Sequence, residues 1–149
     1  MAHNCSHTIH KAAHHFGWDN SLPPRLVVAQ GESVAFESND ASFGQLGPKS
    51  TVADVATLDF GKINPVTGPI MVDGAEPGDA IKVTVLDVTP SGHGWTANIP
   101  GFGLLADQFK EPALHLWKYD TTGREPAAFG PGGRVPLKAM CGTIGLAPG

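Results

Sequence analysis

Polar side chains that could act on a carbonyl group lie around one glycine in the first third of the chain. Asp40 lies just before Gly44, and Gln45 follows it directly. The carboxylate of Asp40 could serve as a general base or bind a metal, and the amide of Gln45 could donate a hydrogen bond to a carbonyl oxygen. Gly44 has no side chain, so a ligand can approach its backbone closely. Alternatively, Asp40 only turns the chain, and the two interpretations of Asp40 weigh equally.

Histidines are concentrated at the beginning of the chain, where five of the seven lie within residues 1–15. This His-rich segment is predicted to be a polar, partly disordered tail that binds metal only adventitiously. His14 and His15 differ from the others because they border the folded domain predicted for residues 16–149. Both are therefore candidate ligands of a divalent metal. The spacing of His10 and His14 would also place two imidazoles on one helical face, with a third ligand from His7, Cys5 or His15.

The residues that must position these groups centre on the stretch 64–87. Pro65 and Pro69 exclude a helix at its beginning. Residues 70–72 then alternate as a strand with one buried face, and residues 81–85 place three β-branched side chains on one face. A proline–glycine turn separates the two segments. The pattern predicts two strands paired as an antiparallel hairpin.

Two further local elements follow from the pattern. Residues 26–36 contain two short apolar runs around a glycine, which predicts a second hairpin. Residues 51–58 carry apolar side chains at helical spacing, with Ser50 or Thr51 as the candidate N-cap and Asp54 in the first turn. Asp54 is therefore interpreted as a structural residue.

Composition favours a mostly β domain. The 149 residues include 19 glycines and 13 prolines, which suits short strands joined by tight turns. We expect a two-sheet sandwich or a distorted barrel with one or two short helices. A net charge of −4 argues against nucleic-acid binding. No apolar run long enough to span a membrane and no secretory signal are visible, so we expect a cytoplasmic protein with two free cysteines.

Five segments, in order, resemble the acetamidase/formamidase family. They read WDNSLPP at residues 18–24, DASFGQ at 40–45, NPVTGPI followed by GAEPGD within 64–79, PGFGLLAD at 100–107, and CGTIGLAP at 141–148. The resemblance implies a metal-associated amidohydrolase that cleaves the linear C–N bond of small amides such as formamide or acetamide and releases ammonia. It also implies a divalent metal, for which zinc is the candidate.

The resemblance extends the set of candidate site residues. The catalytic candidates are Asp19, Asp40 and Gln45; the substrate-binding candidates are Asn20, Gly44, Thr67 and Gly68; and the metal candidates are His14 and His15. Thr67 would offer a hydroxyl group and Gly68 space for a ligand. The alternative for Gly68 is a bend before the strand that begins at Pro69.

Members of the family are roughly twice as long as this chain. The resemblance therefore implies a site shared with a second half, which a homo-oligomer or a partner chain would supply. The alternative hypothesis is a non-catalytic β-rich binding or self-assembly module derived from the family, because an incomplete sheet exposes an edge that can pair with another copy.

Overall fold

The structure is a computed structural model that describes residues 5–148. These residues form two compact units. Unit 1 comprises residues 5–41, 61–87 and 141–148, and unit 2 comprises residues 42–60 and 88–140. Strands dominate both units, and every ladder among the described residues has two strands.

Unit 1 is built from three ladders between strands that are distant in sequence. Its strands are β1 (His7–Ile9), β2 (His14–Phe16), β3 (Leu26–Val28), β4 (Val34–Phe36), β5 (Pro65–Thr67) and β6 (Ile70–Val72). β1 pairs with β4 and β3 with β6 in parallel, whereas β2 pairs with β5 antiparallel. Ile9 and Val28 are the buried apolar side chains of these strands.

Unit 2 contains two antiparallel ladders and one helical turn. β7 (His93–Asn98) pairs with β8 (Ala113–Lys118), and β9 (Ala127–Phe129) pairs with β10 (Gly133–Val135). The helix α1 (Val52–Val55) packs against β8, and a 3-10 turn (Phe60–Lys62) follows it along the chain. Val55, Leu46 and Ala127 are buried in this unit.

The start of α1 is fixed by a reciprocal contact between Thr51 and Asp54. The Asp54 carboxylate accepts hydrogen bonds from the Thr51 backbone N–H at 2.6 Å and from its hydroxyl at 3.0 Å. Hydrogen bonding by Thr51, through its backbone first and its side chain second, holds the pKa of Asp54 below its usual value. The predicted N-cap is confirmed, although the helix is shorter than expected.

The mostly β class and the one or two short helices are confirmed. The described residues form five two-stranded ladders and no closed barrel. Both predicted hairpins are wrong. β3 and β4 form as predicted but pair with β6 and β1 instead of with each other. Residues 81–85 form no strand, because β6, their predicted partner, pairs with β3 instead. The apolar side chains of residues 81–85 are exposed.

Part of the predicted tail is folded. β1 and β2 lie within it, and Ile9 is only 6% exposed. Two contacts hold β1 in addition to its ladder: His7 lies 3.6 Å from Glu32, and His10 lies 3.1 Å from Glu37. The prediction failed here because one buried apolar side chain among polar residues gives too weak a pattern. His3 lies outside the described residues.

Among residues 5–148, no helix is long and apolar enough to cross a membrane. Cys5 and Cys141 are both free thiols, as expected from the sequence.

Candidate functional site

The nine candidate site residues are divided between the two units. Unit 1 contains His14, His15, Asp19, Asn20, Asp40, Thr67 and Gly68. Unit 2 contains Gly44 and Gln45. The two groups are therefore described separately.

The ladder between β2 and β5 brings His14 next to two of the four substrate-binding candidates, Thr67 and Gly68. His14 is the register partner of Thr67, and the Gly68 N–H donates to the Ala13 carbonyl at 3.0 Å. The Thr67 hydroxyl donates to the Glu37 carbonyl at 2.8 Å. Gly68 is buried with φ 131°, a conformation that favours glycine. The structure thus gives Thr67 and Gly68 structural contacts, and their substrate-binding role stays a prediction.

His14 has a defined tautomer. Its Nδ1 lies 3.0 Å from the Lys11 carbonyl oxygen, which can only accept a hydrogen bond. Nδ1 must therefore carry the proton, and the ring lone pair lies on Nε2. The ring also contacts Phe16 edge-on, with 5.8 Å between the centroids, because residues two apart in a strand share a face.

His15 lies on the other face of the strand from His14, because successive strand residues point in opposite directions. The role of both imidazoles as metal ligands stays a prediction. The His15 Nδ1 is buried and has no hydrogen-bond partner within the described part of the chain. Among residues 5–148, no group of three His, Cys, Asp or Glu side chains is placed to hold a metal ion.

Asp19 is held ionised by the turn in which it lies. Its Oδ1 accepts hydrogen bonds from the Ser21 hydroxyl at 2.6 Å and the Ser21 N–H at 2.8 Å. These two bonds lower the pKa of Asp19, and the electrostatic effect of His15 lowers it further. Asn20 is exposed in the same turn, and Asp40 is exposed after β4. Asp19 and His15 are thus electrostatically linked.

In unit 2, Gln45 uses its side-chain amide to hold a loop together. The amide NH2 group donates to the carbonyls of Ser42 at 3.0 Å and Asp59 at 3.2 Å. Its carbonyl oxygen accepts from the Asp59 N–H at 2.7 Å. Both amide hydrogens are therefore used within the protein. The catalytic role of Gln45 as a donor to a substrate stays a prediction and would require one of these bonds to be exchanged.

Gly44 has open space on the side of its Cα where a side chain would lie, and its substrate-binding role stays a prediction. It has φ 78°, and a Cβ built on it would contact nothing within 4 Å. Together with Gln45, Lys49 and Asp54 it lines a shallow depression of about 500 Å³ in unit 2. A small molecule could reach the backbone of Gly44 from this depression.

Sequence reasoning did not single out Glu37, which connects three strand segments of unit 1. Glu37 donates its N–H to the Ile9 carbonyl at 2.9 Å, and its side chain accepts from the Lys11 N–H and contacts His10. Because its carbonyl also accepts from Thr67, Glu37 links the segments around β1, β4 and β5. Hydrogen bonding by His10, and then by Lys11, lowers the pKa of Glu37.

A second missed feature is an aromatic cluster in unit 2. The ring of His115 meets Trp117 at 4.3 Å and Phe129 at 4.8 Å between centroids, both edge-on. The His115 Nε2 is buried without a hydrogen-bond partner in the described structure. The alternating pattern of residues 113–119 correctly predicted the strand but could not reveal the contact with Phe129.

Comparison with known proteins gives a consistent result. The profile of the Acetamidase/Formamidase family matches residues 3–149. An acetamidase from Mycolicibacterium smegmatis is 30% identical over 118 residues, and a formamidase from Methylophilus methylotrophus is 33% identical over 111 residues. Each alignment covers 70% of this chain but only 29% and 27% of the respective relative.

A solved structure has the same fold over most of this chain. The crystal structure of an acetamidase from Bacillus halodurans superimposes with a TM-score of 0.82 and 28% sequence identity. The match covers 95% of this chain and 46% of that protein. The chain therefore spans less than half of the solved relative and less than a third of the two curated relatives.

Proposed function

The chain belongs to the acetamidase/formamidase family, and we propose that it serves in the hydrolysis of the linear C–N bond of small amides, with release of ammonia. The observation that carries the proposal is the family match, which extends over residues 3–149. The names of the similar proteins from Mycolicibacterium smegmatis and Methylophilus methylotrophus point to acetamide and formamide as the substrates to test first.

Amide hydrolysis requires an activated water molecule, a donor to the developing oxyanion and a proton for the leaving ammonia. Within unit 1, we assign the acidic group to Asp19. Asp19 is a carboxylate near neutral pH, and its lowered pKa favours this form further. A carboxylate can orient water or an amide N–H. His15, which lies in β2 and whose charge influences Asp19, would move a proton beside it. Asp40 remains a second candidate base because its carboxylate is exposed.

In unit 2, we assign substrate contacts to the backbone at Gly44. The open space beside its Cα lets a small planar amide approach the chain without a steric clash. Gln45 follows it directly and would fix the shape of this loop through its bonds to Asp59. Thr67 and Gly68 would position β5 beside His14. Asn20 would contact the substrate from its exposed turn.

A divalent metal, with zinc as the candidate, is part of the proposal. His14 is the imidazole that this chain would supply, because the bond from its Nδ1 to Lys11 places the lone pair on Nε2. When bound, such a metal would activate water and polarise the amide carbonyl. The remaining ligands would come from outside the groups described above.

We also propose that the protein works in the cytoplasm, which agrees with its two free thiols. Its active form would be a homo-oligomer or a complex with a polypeptide that completes the family architecture. The alternative function is a non-catalytic β-rich binding or self-assembly module. The exposed segment 80–86, with its unpaired backbone, favours this alternative.

The two functions are separated by an ammonia assay. Purified protein, shown to be folded by circular dichroism, is incubated with formamide or acetamide and with zinc. Release of ammonia above a control without protein supports amide hydrolysis. A folded protein that releases none, at any ratio of zinc to protein, contradicts hydrolysis by this chain and favours the binding module.

A further inference from the structure

The turn that follows β6 contains an aspartate with a glycine directly after it. Asp73 and Gly74 form the only Asp–Gly pair in the chain, and both residues are exposed. In such a pair, the backbone nitrogen of the glycine can attack the side-chain carboxyl group of the aspartate and close a five-membered succinimide ring. Glycine favours this attack because it has no Cβ that crowds the nitrogen.

The two ends of this turn are fixed by hydrogen bonds. The Asp73 N–H donates to the Val28 carbonyl at 2.8 Å, and the Ala75 N–H donates to the Val72 carbonyl at 3.2 Å. Gly74 has φ 73° at the third position of the turn, whereas φ of Asp73 is not positive, which is the combination of a type II turn. The turn therefore keeps the two reacting residues at its exposed tip.

The peptide group between Asp73 and Gly74 is not held in place by hydrogen bonds. Neither the Asp73 carbonyl nor the Gly74 N–H bonds to another described residue, and a Cβ built on Gly74 would contact nothing within 4 Å. Ring closure requires this peptide plane to rotate until the Gly74 nitrogen faces the Asp73 carboxyl carbon. Glycine allows the rotation because it adopts conformations that other residues avoid. No hydrogen bond within the described structure is broken by it.

Other aspartates are restrained at one of the two reacting groups. A backbone N–H donates to the carboxylate in a set that comprises Asp19, Asp54, Asp79 and Asp120. The carboxylate of Asp107 is exposed, but the N–H of the next residue, Gln108, donates to the Leu105 carbonyl at 3.0 Å. Asp107 is therefore the matched control for Asp73.

We propose that Asp73 is a site of spontaneous isoaspartate formation in the folded protein. The Gly74 nitrogen bonds to Cγ of Asp73, and the carboxyl hydroxyl group leaves with the N–H proton as one water molecule. Water then opens the succinimide. Its addition at Cγ restores aspartate, and its addition at the α-carbonyl carbon gives isoaspartate with a free α-carboxyl group. The net reaction is an isomerisation that needs no oxidant or reductant, and it does not depend on amide hydrolysis.

The modification changes the turn because it inserts one atom into the main chain, which then runs through Cβ and Cγ of residue 73. The Ala75 N–H no longer meets the Val72 carbonyl, so the hydrogen bond that closes the turn is lost. The Asp73 N–H precedes the inserted atom and keeps its bond to Val28. Isoaspartate at residue 73 thus loosens the turn and leaves the β3–β6 ladder paired.

The test is peptide mapping of the full chain after storage for several weeks at pH 6 in water enriched in oxygen-18. Each passage through the succinimide adds one labelled oxygen, and electron-transfer fragmentation distinguishes isoaspartate from aspartate at each position. Isoaspartate is expected to form at Asp73 at least about tenfold faster than at Asp107, because Gly74 lacks a Cβ. In a parallel sample unfolded in urea, the rate at Asp73 is expected to lie within about tenfold of the folded rate, since no hydrogen bond holds the peptide group.

Two variants test the chemistry, and circular dichroism reports that each is folded. Asp73→Asn is expected to give isoaspartate through the same succinimide, with loss of ammonia instead of water. Asp73→Glu is expected to give no isomer, because its longer side chain would have to close a six-membered ring. Hydrogen exchange of the stored wild type is expected to be faster at the Ala75 amide and unchanged in the β7–β8 ladder.

Two results would overturn the proposal. The first is a folded sample without isoaspartate at residue 73. If the urea-unfolded sample forms it, the folded turn prevents ring closure, and if neither sample forms it, the Asp–Gly pair is unreactive. The second is a rate at Asp73 that does not exceed the rate at Asp107, which would assign isomerisation to general ageing of the chain.

Discussion

Gln45 and Asp59 are joined by two hydrogen bonds in opposite directions. The Asp59 N–H donates to the Gln45 side-chain oxygen at 2.7 Å, and the Gln45 amide donates to the Asp59 carbonyl at 3.2 Å. The side chain thus acts as a strand partner for a backbone segment 14 positions away. It closes the loop that presents Gly44.

We predict that Gln45→Ala destabilises the protein by about 1–3 kcal/mol, because the backbone groups of Asp59 lose their partners. Gln45→Glu should also destabilise it, since a carboxylate cannot donate to the Ser42 and Asp59 carbonyls. Urea denaturation measures both effects. An unfolding midpoint equal to that of the wild type, combined with loss of ammonia release, would instead assign Gln45 a direct role towards substrate.

The Asp54 carboxylate gives a prediction for pH dependence. Its pKa in the folded protein lies below the ordinary aspartate value of 3.8. Its contribution to stability is therefore present above that pH and is lost as the pH falls through the lower folded pKa. Asp54→Asn should therefore lower the unfolding midpoint at pH 6, and the difference from wild type should shrink towards pH 3.

The matched control for this prediction is Asp107→Asn, which removes an exposed carboxylate without a hydrogen bond to any described residue. Its midpoint should follow that of the wild type across the same range. A constant difference between Asp54→Asn and wild type from pH 6 to pH 3 would show that charge on Asp54 does not stabilise α1.

His115→Phe is expected to leave stability unchanged or to raise it by about 1 kcal/mol, because the buried Nε2 has no partner in the described structure and costs desolvation energy. Phenylalanine keeps the edge-on contacts with Trp117 and Phe129. Thermal unfolding measures the change. A loss of more than about 1 kcal/mol would mean that Nε2 has a partner, such as an ordered water molecule.

Metal binding should distinguish the two adjacent histidines. His14→Ala is predicted to lower the zinc bound per protein after dialysis against limiting zinc, whereas His15→Ala should bind as the wild type does, because only His14 has its lone pair fixed on Nε2. Elemental analysis of the dialysed proteins gives the ratio. Equal zinc content in wild type and His14→Ala would remove His14 from the metal site.

The sequence was most informative where one local pattern decided the outcome. Alternation predicted β8, and Thr51 with Asp54 predicted the start of α1, because both signals lie within a few residues. Strand partners could not be predicted in this way. The alternation of β3 fixes its faces but does not say whether it pairs with β4 or with β6.

The candidate site shows the same limit. Sequence similarity singled out Asp19, but its lowered pKa depends on hydrogen bonds from Ser21. The structural use of Thr67 likewise depends on the carbonyl of Glu37, 30 positions away. His14 and His15 are metal candidates because they border the folded domain predicted from the sequence, whereas their orientation depends on the strand β2 in which they lie. The spacing of residues in the sequence predicts the relative positions of their side chains only when the local backbone conformation is known.

The most direct test of the proposed function is the rate of ammonia release from formamide by the zinc-supplemented full chain, compared with Asp19→Asn and Asp107→Asn. We predict that wild type and Asp107→Asn release ammonia at equal rates and that Asp19→Asn is slower by about 100-fold or more, the usual size of an acid–base contribution. A folded wild-type protein without release, or an Asp19→Asn rate equal to that of the wild type, would contradict the account.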